Sequence, residues 1–133
     1  MDKIETKLSN FQNALQRLKE ADQEYKKEGS SDVVRDGLIQ RFEFSYELAW
    51  KTTKLFLEDL GIVDVNSPKA VIKEAYAQKL VDDEKNWLLI LSDRNKTSHL
   101  YQEALAKEIA ERISNCYIYE FELLLKKLNN TKY

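Results

Sequence analysis

The only histidine of the 133-residue chain, His99, lies in a polar stretch that also contains an arginine five residues earlier. The stretch reads DRNKTSHLY, from Asp93 to Tyr101. Histidine is the side chain best suited to carry protons near neutral pH, and arginine presents a planar fork that matches phosphate. Arg94 and His99 together therefore indicate a site for phosphodiester chemistry. The alternative is a polar junction whose side chains only cap and solvate two helices.

The spacing of the two residues decides whether their side chains can meet. On one unbroken helix, five residues would rotate Arg94 and His99 about 140° apart, so they would not share a cleft. Asn95 can end a helix in the left-handed conformation, and Thr97 or Ser98 can cap a new one. We therefore predict a helix break after Asn95. It would place His99 in the first turn of the next helix, where free backbone N–H groups favour an anion.

Other kinds of catalytic site have little basis in the sequence. With one histidine, one cysteine, and no HExxH, CxxC or aspartate cluster, we expect no metal and no other cofactor. There is no glycine-rich phosphate loop and no recognisable serine–histidine triad. The single cysteine, Cys116, lies among apolar residues and is expected to be a buried, reduced thiol.

The composition is that of a soluble globular chain. Hydrophobic residues make up 43% and charged residues 33%, with a net charge of −2. The chain is thus too apolar for disorder and not basic enough for a general nucleic-acid coat, although a local basic site remains open. The N-terminus lacks the apolar core of a signal peptide, and the longest apolar run, Trp87–Leu91, cannot span a bilayer. We expect a cytoplasmic protein without membrane association.

Long helices must position these residues, because only three glycines and one proline interrupt the chain. Apolar spacing and caps predict five helices. The first two run from Ile4 to Tyr25 and from a cap at Ser31 or Asp32 to about Leu60. The other three run from Pro68 to about Lys79, from Asp82–Asp83 through the apolar run Trp87–Leu91, and from about Ser98 to Leu128. We see no β-alternation of useful length. The sequence therefore predicts one all-α domain over residues 1–133, an antiparallel up-and-down four-helix bundle with one additional short helix.

The second of these helices carries a second apolar stripe, offset from the first. It consists of Phe44, Leu48, Trp50 and Leu55. A helix that is apolar on two sides must be covered from two sides. We therefore expect it both to lie centrally in the bundle and to form an oligomer interface.

Two blocks of sequence resemble a known family. RFEFSYELAWK, at Arg41–Lys51, fits its arginine, glutamate and Glu-Leu-Ala-Trp-Lys pattern. WLLILSDRNKTSHLY, at Trp87–Tyr101, fits its tryptophan, Arg-Asn, three residues, His, one residue, Tyr pattern. With these blocks, and with helix order and length over nearly the whole chain, the sequence resembles the nucleotidyltransferase substrate-binding proteins. These are small helical partners of minimal nucleotidyltransferases within the wider HEPN superfamily.

The resemblance implies a homodimer that pairs with a minimal nucleotidyltransferase encoded by the adjacent gene. In such a two-gene, toxin–antitoxin-like system the chain would bind or present a nucleotide or nucleic-acid substrate. The alternative implied is a HEPN ribonuclease toxin that cleaves RNA without a metal and is neutralised by the partner, in some pairs by AMP transfer to a tyrosine. By position, the Arg-x4-His-x-Tyr motif is Arg94, His99 and Tyr101, with Asn95 as polar companion. A helical scaffold without a site is the third hypothesis.

The residues of the motif would have different roles. In the ribonuclease alternative, His99 is general acid or base and Arg94 stabilises developing negative charge. A two-fold dimer with two His99 residues across one cleft would supply both proton carriers. Tyr101 would lie about 200° from His99 on a continuous helix, and would share the cleft only if the helix starts later or if its side chain reaches around. It suits the role of AMP acceptor; an aromatic packed on a helix end is the alternative.

The Arg41 block allows two interpretations. Arg41 and Lys51 are candidate substrate-binding residues, along a ligand groove or a partner face. Alternatively, the charges form intrahelical ion pairs, such as Glu47 with Lys51. Trp50 is expected in the core or at a dimer interface rather than stacked on a ligand.

Overall fold

The computed structural model describes residues 3–131, which form an all-helical bundle. Its α-helices are α1 (Lys3–Lys27), α2 (Asp32–Asp59), α3 (Pro68–Ala77), α4 (Glu84–Lys96), α5 (Glu103–Arg112) and α6 (Ile118–Thr131). A π-helical segment, Ile113–Tyr117, joins α5 to α6, so the two form one long rod. With α1, α2, α4 and the α5–α6 rod as long elements and α3 as the short one, the predicted four-helix bundle is confirmed.

Local side-chain chemistry sets where the helices begin. Ser31, Ser67 and Asp83 each accept a hydrogen bond from the backbone N–H three residues later, at 3.3, 3.2 and 2.9 Å. Such N-caps satisfy amides that have no partner in the first turn. After α2, Gly61 has a φ of 87°, a left-handed conformation that glycine adopts without strain. The predicted starts of α2, α3 and α4 and the end of α2 are thus confirmed.

Stacked aromatic rings join the four long elements in the core. Phe42 of α2 stacks on Tyr117 and on Phe121, with ring centroids 5.6 and 5.9 Å apart. Phe121 also contacts Trp87 of α4 at 5.4 Å and Phe11 of α1 edge-on at 6.3 Å. These five side chains are almost completely buried. Burial of such large rings dominates core energetics, so this cluster fixes α4 against the rest of the bundle.

α2 is the central helix, as predicted, since it contacts α1, α3, α5 and α6. Its second apolar stripe is only partly covered. Phe44 is 51% exposed, and Leu48, Trp50 and Leu55 are half-buried. The outward face of α2 therefore keeps apolar surface in contact with solvent, and its predicted role as an oligomer interface stays a prediction.

Three local expectations are wrong. The fifth helix begins at Glu103 rather than near Ser98, and a 3-10 turn occupies Thr97–His99. Asn95 lies within α4 and is not left-handed, because the Thr97 hydroxyl bonds back to the carbonyl of Arg94 at 2.8 Å and tightens the helix end instead.

The third concerns Cys116, which is only partly buried, in the π-helical segment, although burial still raises the pKa of its thiol. Within residues 3–131, no helix has both the length and the apolar content needed to cross a membrane.

Candidate functional site

The candidate site lies where α4 ends and the chain turns toward α5. Arg94 is in the last turn of α4, with its side chain 31% exposed. Asn95 and His99 are exposed, and Tyr101, in the link that follows the 3-10 turn, is 79% exposed. All four residues of the predicted motif are thus at one helix junction, on or near the surface.

The Arg94 guanidinium is held by a side chain from α2 and by the turn itself. Its Nη1 donates to the Thr97 hydroxyl at 3.1 Å and lies 3.4 Å from the carboxylate of Glu43. The Thr97 hydroxyl is also 3.1 Å from the same Glu43 oxygen, which closes a triangle of polar contacts. The buried Nε of Arg94 has no hydrogen-bond partner among residues 3–131. Arg94 is therefore oriented, but its hydrogen-bonding capacity is not fully used.

The residue before Arg94 belongs to a buried network that the sequence did not reveal. The Asp93 carboxylate is completely buried and accepts two hydrogen bonds from Arg112, from Nε at 2.7 Å and Nη2 at 2.9 Å. The Tyr117 hydroxyl donates to it as well. The hydrogen bond to Asp93 raises the pKa of Arg112, while burial and then Asp93 raise that of Tyr117. The network joins the end of α4 to the α5–α6 rod.

The π-helical segment explains how Arg112 and Tyr117 reach the same carboxylate. On an α-helix, residues five apart point about 140° away from each other. A π-helix bonds residue i to i+5, so residues five apart come close to alignment. The segment Ile113–Tyr117 lies directly after Arg112. This local widening of the rod turns both side chains toward Asp93.

His99 and Tyr101 form a second contact at the junction. The Tyr101 hydroxyl is 3.5 Å from Nδ1 of His99, and the rings meet edge-on with centroids 6.0 Å apart. The angle of about 200° that a continuous helix would place between His99 and Tyr101 does not apply, because α5 begins only at Glu103. An imidazole and a phenol thus lie side by side at an exposed turn.

Arg94 and His99 are not joined by any hydrogen bond or ion pair in the described part of the chain. Arg94 is directed at Glu43, whereas His99 contacts Tyr101. His99 also precedes α5 rather than lying in its first turn, and the cap residue Gln102 makes no side-chain cap bond. The junction therefore has two parts, an oriented arginine and a histidine–tyrosine pair.

The two candidates from the block Arg41–Lys51, Arg41 and Lys51, lie away from the junction, on α2. Arg41 faces α1, where its Nη1 donates to the carbonyl of Arg17 at 2.8 Å. It borders an open groove of about 270 Å³ that Phe44 and Leu48 also line. Glu43 faces α4 instead, because two residues along a helix are separated by about 200°. Arg41 therefore belongs to the α1–α2 groove, on a different side of α2 from the Glu43–Arg94 pair.

Lys51 makes contacts within α2, as expected if the charges of this block form intrahelical ion pairs. Its ammonium is 3.4 Å from the carboxylate of Glu47 and 5.9 Å from the centre of the Trp50 ring. Trp50 is half-buried and borders a small apolar cavity with Trp87. Across residues 3–131, no group of three or more histidine, cysteine, aspartate or glutamate side chains is placed to hold a metal ion.

Several known proteins resemble this chain in sequence and in fold. "Probable ribonuclease HepT" of Haemophilus influenzae is 32% identical over 101 residues, which are 73% of this chain and 68% of that protein. A Haemophilus influenzae structure, described as the fold of a substrate binding domain of a nucleotidyltransferase, matches with a TM-score of 0.84. It is 26% identical and covers 92% of this chain and 98% of its own. A Thermus thermophilus protein matches with a TM-score of 0.78 and 32% identity, over 89% of this chain and 98% of its own.

The family model agrees with these matches. It is described as "Nucleotidyltransferase substrate binding protein like" and matches residues 6–130. That range includes both the α2 block, Arg41–Lys51, and the junction that holds Arg94, His99 and Tyr101. Since the match covers nearly the whole chain and the solved relatives share its helical fold, the chain belongs to the nucleotidyltransferase substrate binding protein-like family.

Proposed function

We propose that this protein is the homodimeric partner subunit of a minimal nucleotidyltransferase encoded by the adjacent gene. In the cytoplasm, the two would form a toxin–antitoxin-like pair in which this chain binds or presents the substrate. The proposal is carried by the exposed hydroxyl of Tyr101 beside His99, at the junction that also holds Arg94. A group-transfer enzyme needs an acceptor that it can reach, and a side chain 79% exposed meets that requirement.

Tyr101 is the acceptor within this proposal. The partner would transfer AMP from a nucleoside triphosphate to its hydroxyl. The added phosphodiester and nucleoside would lie next to His99, 3.5 Å from the acceptor oxygen, and would cover the junction. Modification of Tyr101 would then act as the off-switch of any activity that depends on His99.

The test begins with the neighbouring reading frame, which should encode a small protein with a Gly-Ser motif followed by Asp-x-Asp. Co-expression should give a complex that survives purification. Incubation with Mg²⁺ and ATP should then add AMP to this chain, measured by intact mass, and the Tyr101→Phe variant should gain none. Tyr119→Phe is a matched control, because Tyr119 is also an exposed tyrosine, at 61%. Failure of the two proteins to associate at micromolar concentration would sink the proposal.

A metal-independent ribonuclease is the second candidate function. It is favoured by the relative named "Probable ribonuclease HepT" and by the oriented Arg94 close to a histidine in sequence. In this reaction the RNA 2′-hydroxyl attacks the adjacent phosphate. Arg94 would stabilise the negative charge that develops on the phosphate, and His99 would move the proton. A second His99, from the other subunit, would act as the complementary acid or base.

Toxicity tests this candidate. Expression of the chain without its partner should slow growth, and Arg94→Ala or His99→Ala should each relieve the effect. Lys96→Ala is a suitable control, because Lys96 is an exposed cation at the same helix end. Purified wild-type protein should cleave RNA in the presence of a chelator. Wild-type expression without toxicity, together with no cleavage by the pure dimer, would exclude the ribonuclease.

The homodimer of this proposal uses the outward face of α2. Phe44 is half exposed there, beside the α1–α2 groove bordered by Arg17, Arg41 and Leu48. Burial of an exposed aromatic ring at a two-fold contact is a typical source of dimer stability. Phe44→Glu should therefore convert a dimer to a monomer in light-scattering measurements, whereas Tyr119→Glu should not. A wild-type chain that is monomeric at micromolar concentration would contradict this part of the proposal.

A further inference from the structure

The position of the chain's only histidine relative to its tyrosines is informative. Tyr101, Tyr119 and Tyr76 are all exposed, at 79%, 61% and 47%. Only Tyr101 has an imidazole beside it, with its hydroxyl 3.5 Å from Nδ1 of His99. Exposure alone therefore does not distinguish Tyr101 from the other two tyrosines, but the histidine does.

We infer that His99 is the general base that activates Tyr101, so that this chain supplies part of the chemistry of its own modification. The inference rests on the proposed function, in which Tyr101 is the AMP acceptor. A phenol is a weak nucleophile while it keeps its proton, and a neighbouring base that removes the proton as the bond forms increases its reactivity. Nδ1 of His99 is the basic atom next to the Tyr101 oxygen.

The geometry permits this transfer. A hydroxyl donor and a ring nitrogen 3.5 Å apart are at the long end of hydrogen bonding, and such contacts commonly shorten when substrate binds. Nδ1 can accept the proton when the neutral ring carries its own proton on Nε2. His99 is exposed, so water can reach its ring and exchange protons with it. The ring is thus free to adopt the tautomer that the reaction requires.

The step balances as a simple substitution at phosphorus. The Tyr101 oxygen attacks the α-phosphorus of a nucleoside triphosphate bound by the partner. The new O–P bond forms as the bond between the α-phosphorus and its bridging oxygen breaks, and pyrophosphate leaves. The phenolic proton passes to Nδ1 of His99, which becomes imidazolium and later loses the proton to water. No oxidant, reductant or further reactant takes part.

This assignment gives His99 two roles on one junction. Nδ1 faces Tyr101, while Nε2 remains available to a second reactant, such as the RNA of the ribonuclease candidate. The histidine needed for activity would also promote the reaction that ends the activity. Loss of His99 would therefore slow both.

A partner-free experiment tests the pair directly. The full-length chain is treated with adenosine 5′-phosphorimidazolide, an activated AMP donor from which imidazole leaves, and AMP on each tyrosine is followed by peptide mass spectrometry. Tyr101 should react at least about tenfold faster than Tyr119 or Tyr76, which act as internal controls. In His99→Ala and in His99→Gln, which keeps an acceptor but cannot take up the proton, Tyr101 should react no faster than Tyr119. Equal rates at the three tyrosines of the wild type, or AMP attached to His99 itself, would overturn the inference.

The same variants are then compared with the partner and ATP. His99→Ala and His99→Gln should lower the rate of AMP transfer on the order of 10²-fold. Equal transfer to wild type and variants would refute the role of His99 and leave the proposed function standing. Preferential, His99-dependent labelling by the activated donor, with no transfer by the partner, would refute the proposed function and leave the pair standing. Circular dichroism should show that both variants fold, since His99 is exposed.

Discussion

Arg112 donates two hydrogen bonds, of 2.7 and 2.9 Å, to the buried carboxylate of Asp93 and thereby joins the last turn of α4 to the end of α5. The next residue, Arg94, is fixed on the other side by Glu43 of α2. Two consecutive residues thus attach one helix end to two different parts of the bundle. The turn that follows carries the exposed His99 and Tyr101. The junction combines an oriented cation with a proton carrier and a hydroxyl that solvent and partners can reach.

Asp93→Ala should destabilise the protein by about 2–3 kcal/mol, because it leaves Arg112 and the Tyr117 hydroxyl without their shared partner. The cost should be below the roughly 3–5 kcal/mol typical of a fully buried pair, since the Arg112 side chain is 34% exposed and water can reach it. Urea unfolding at pH 7, followed by circular dichroism, measures the loss. Glu122→Gln, in the exposed pair with Lys19, should change stability by no more than about 0.5 kcal/mol. Comparable losses in the two variants would mean that the network is not a structural anchor.

Thr97→Val should weaken binding of a short single-stranded RNA by about tenfold. The change keeps the shape of a buried side chain but removes the hydroxyl that accepts from Arg94 and contacts Glu43. A hydrogen bond of about 1–1.5 kcal/mol, if it holds Arg94 in position for phosphate, corresponds to roughly that factor. Fluorescence anisotropy gives the affinity. Thr97→Ser keeps the hydroxyl and should bind nearly as well as wild type; equal binding by the valine and serine variants would argue against Thr97 as a positioning residue.

The parts of the structure that the sequence predicted depend on contacts between residues close in the chain. The caps Ser31, Ser67 and Asp83 bond to amides three residues away, so local chemistry was enough to place them. The sequence predicted Thr97 or Ser98 as the cap of a new helix, whereas the Thr97 hydroxyl bonds back to the carbonyl of Arg94 in α4. In this conformation the Thr97 hydroxyl also contacts Glu43, which is 54 residues away in the chain. A contact between such distant residues cannot be read from the local sequence pattern.

The buried network near the site was missed for a similar reason. Asp93 pairs with Arg112, 19 residues away, and with Tyr117, 24 residues away. Arg112 and Tyr117 can both reach Asp93 only because of the π-helical segment. The apolar spacing from Ile113 to Tyr117 does not distinguish this segment from an ordinary α-helix. The side of α2 on which Arg41 lies could have been inferred from its 200° separation from Glu43, had the position of α4 been known.

Ser31→Ala should lower the free energy of unfolding by about 1 kcal/mol, because it removes the side-chain acceptor at the start of α2. The neighbouring Ser30, which is exposed and lies in the turn before the helix, offers a control. Ser30→Ala should change stability by less than about 0.5 kcal/mol. Hydrogen exchange should also become faster at the first amides of α2 in the Ser31 variant only. Equal stabilities for the two variants would show that the cap contributes little here.

Tyr25 should give the protein a specific sensitivity to alkaline pH. Burial, followed by the hydrogen bond that its hydroxyl donates to Glu111 at 2.6 Å, raises the pKa of Tyr25 from 10.0 to about 12. Since the folded state holds this proton more tightly than the unfolded state, the contribution to stability is complete below pH 10. It is lost as the pH rises toward 12, and on the order of 1 kcal/mol should be gone by pH 11.

Comparison with a variant that lacks the phenol isolates this effect. At pH 8, Tyr25→Phe should cost about 1.5 kcal/mol through the lost hydrogen bond to a carboxylate. By pH 11 the two proteins should therefore be nearly equal in stability. Urea unfolding of both at the two pH values measures this difference, in which the titration of all other groups cancels. A difference that stays constant or widens with pH would show that the Tyr25–Glu111 contact does not control the proton.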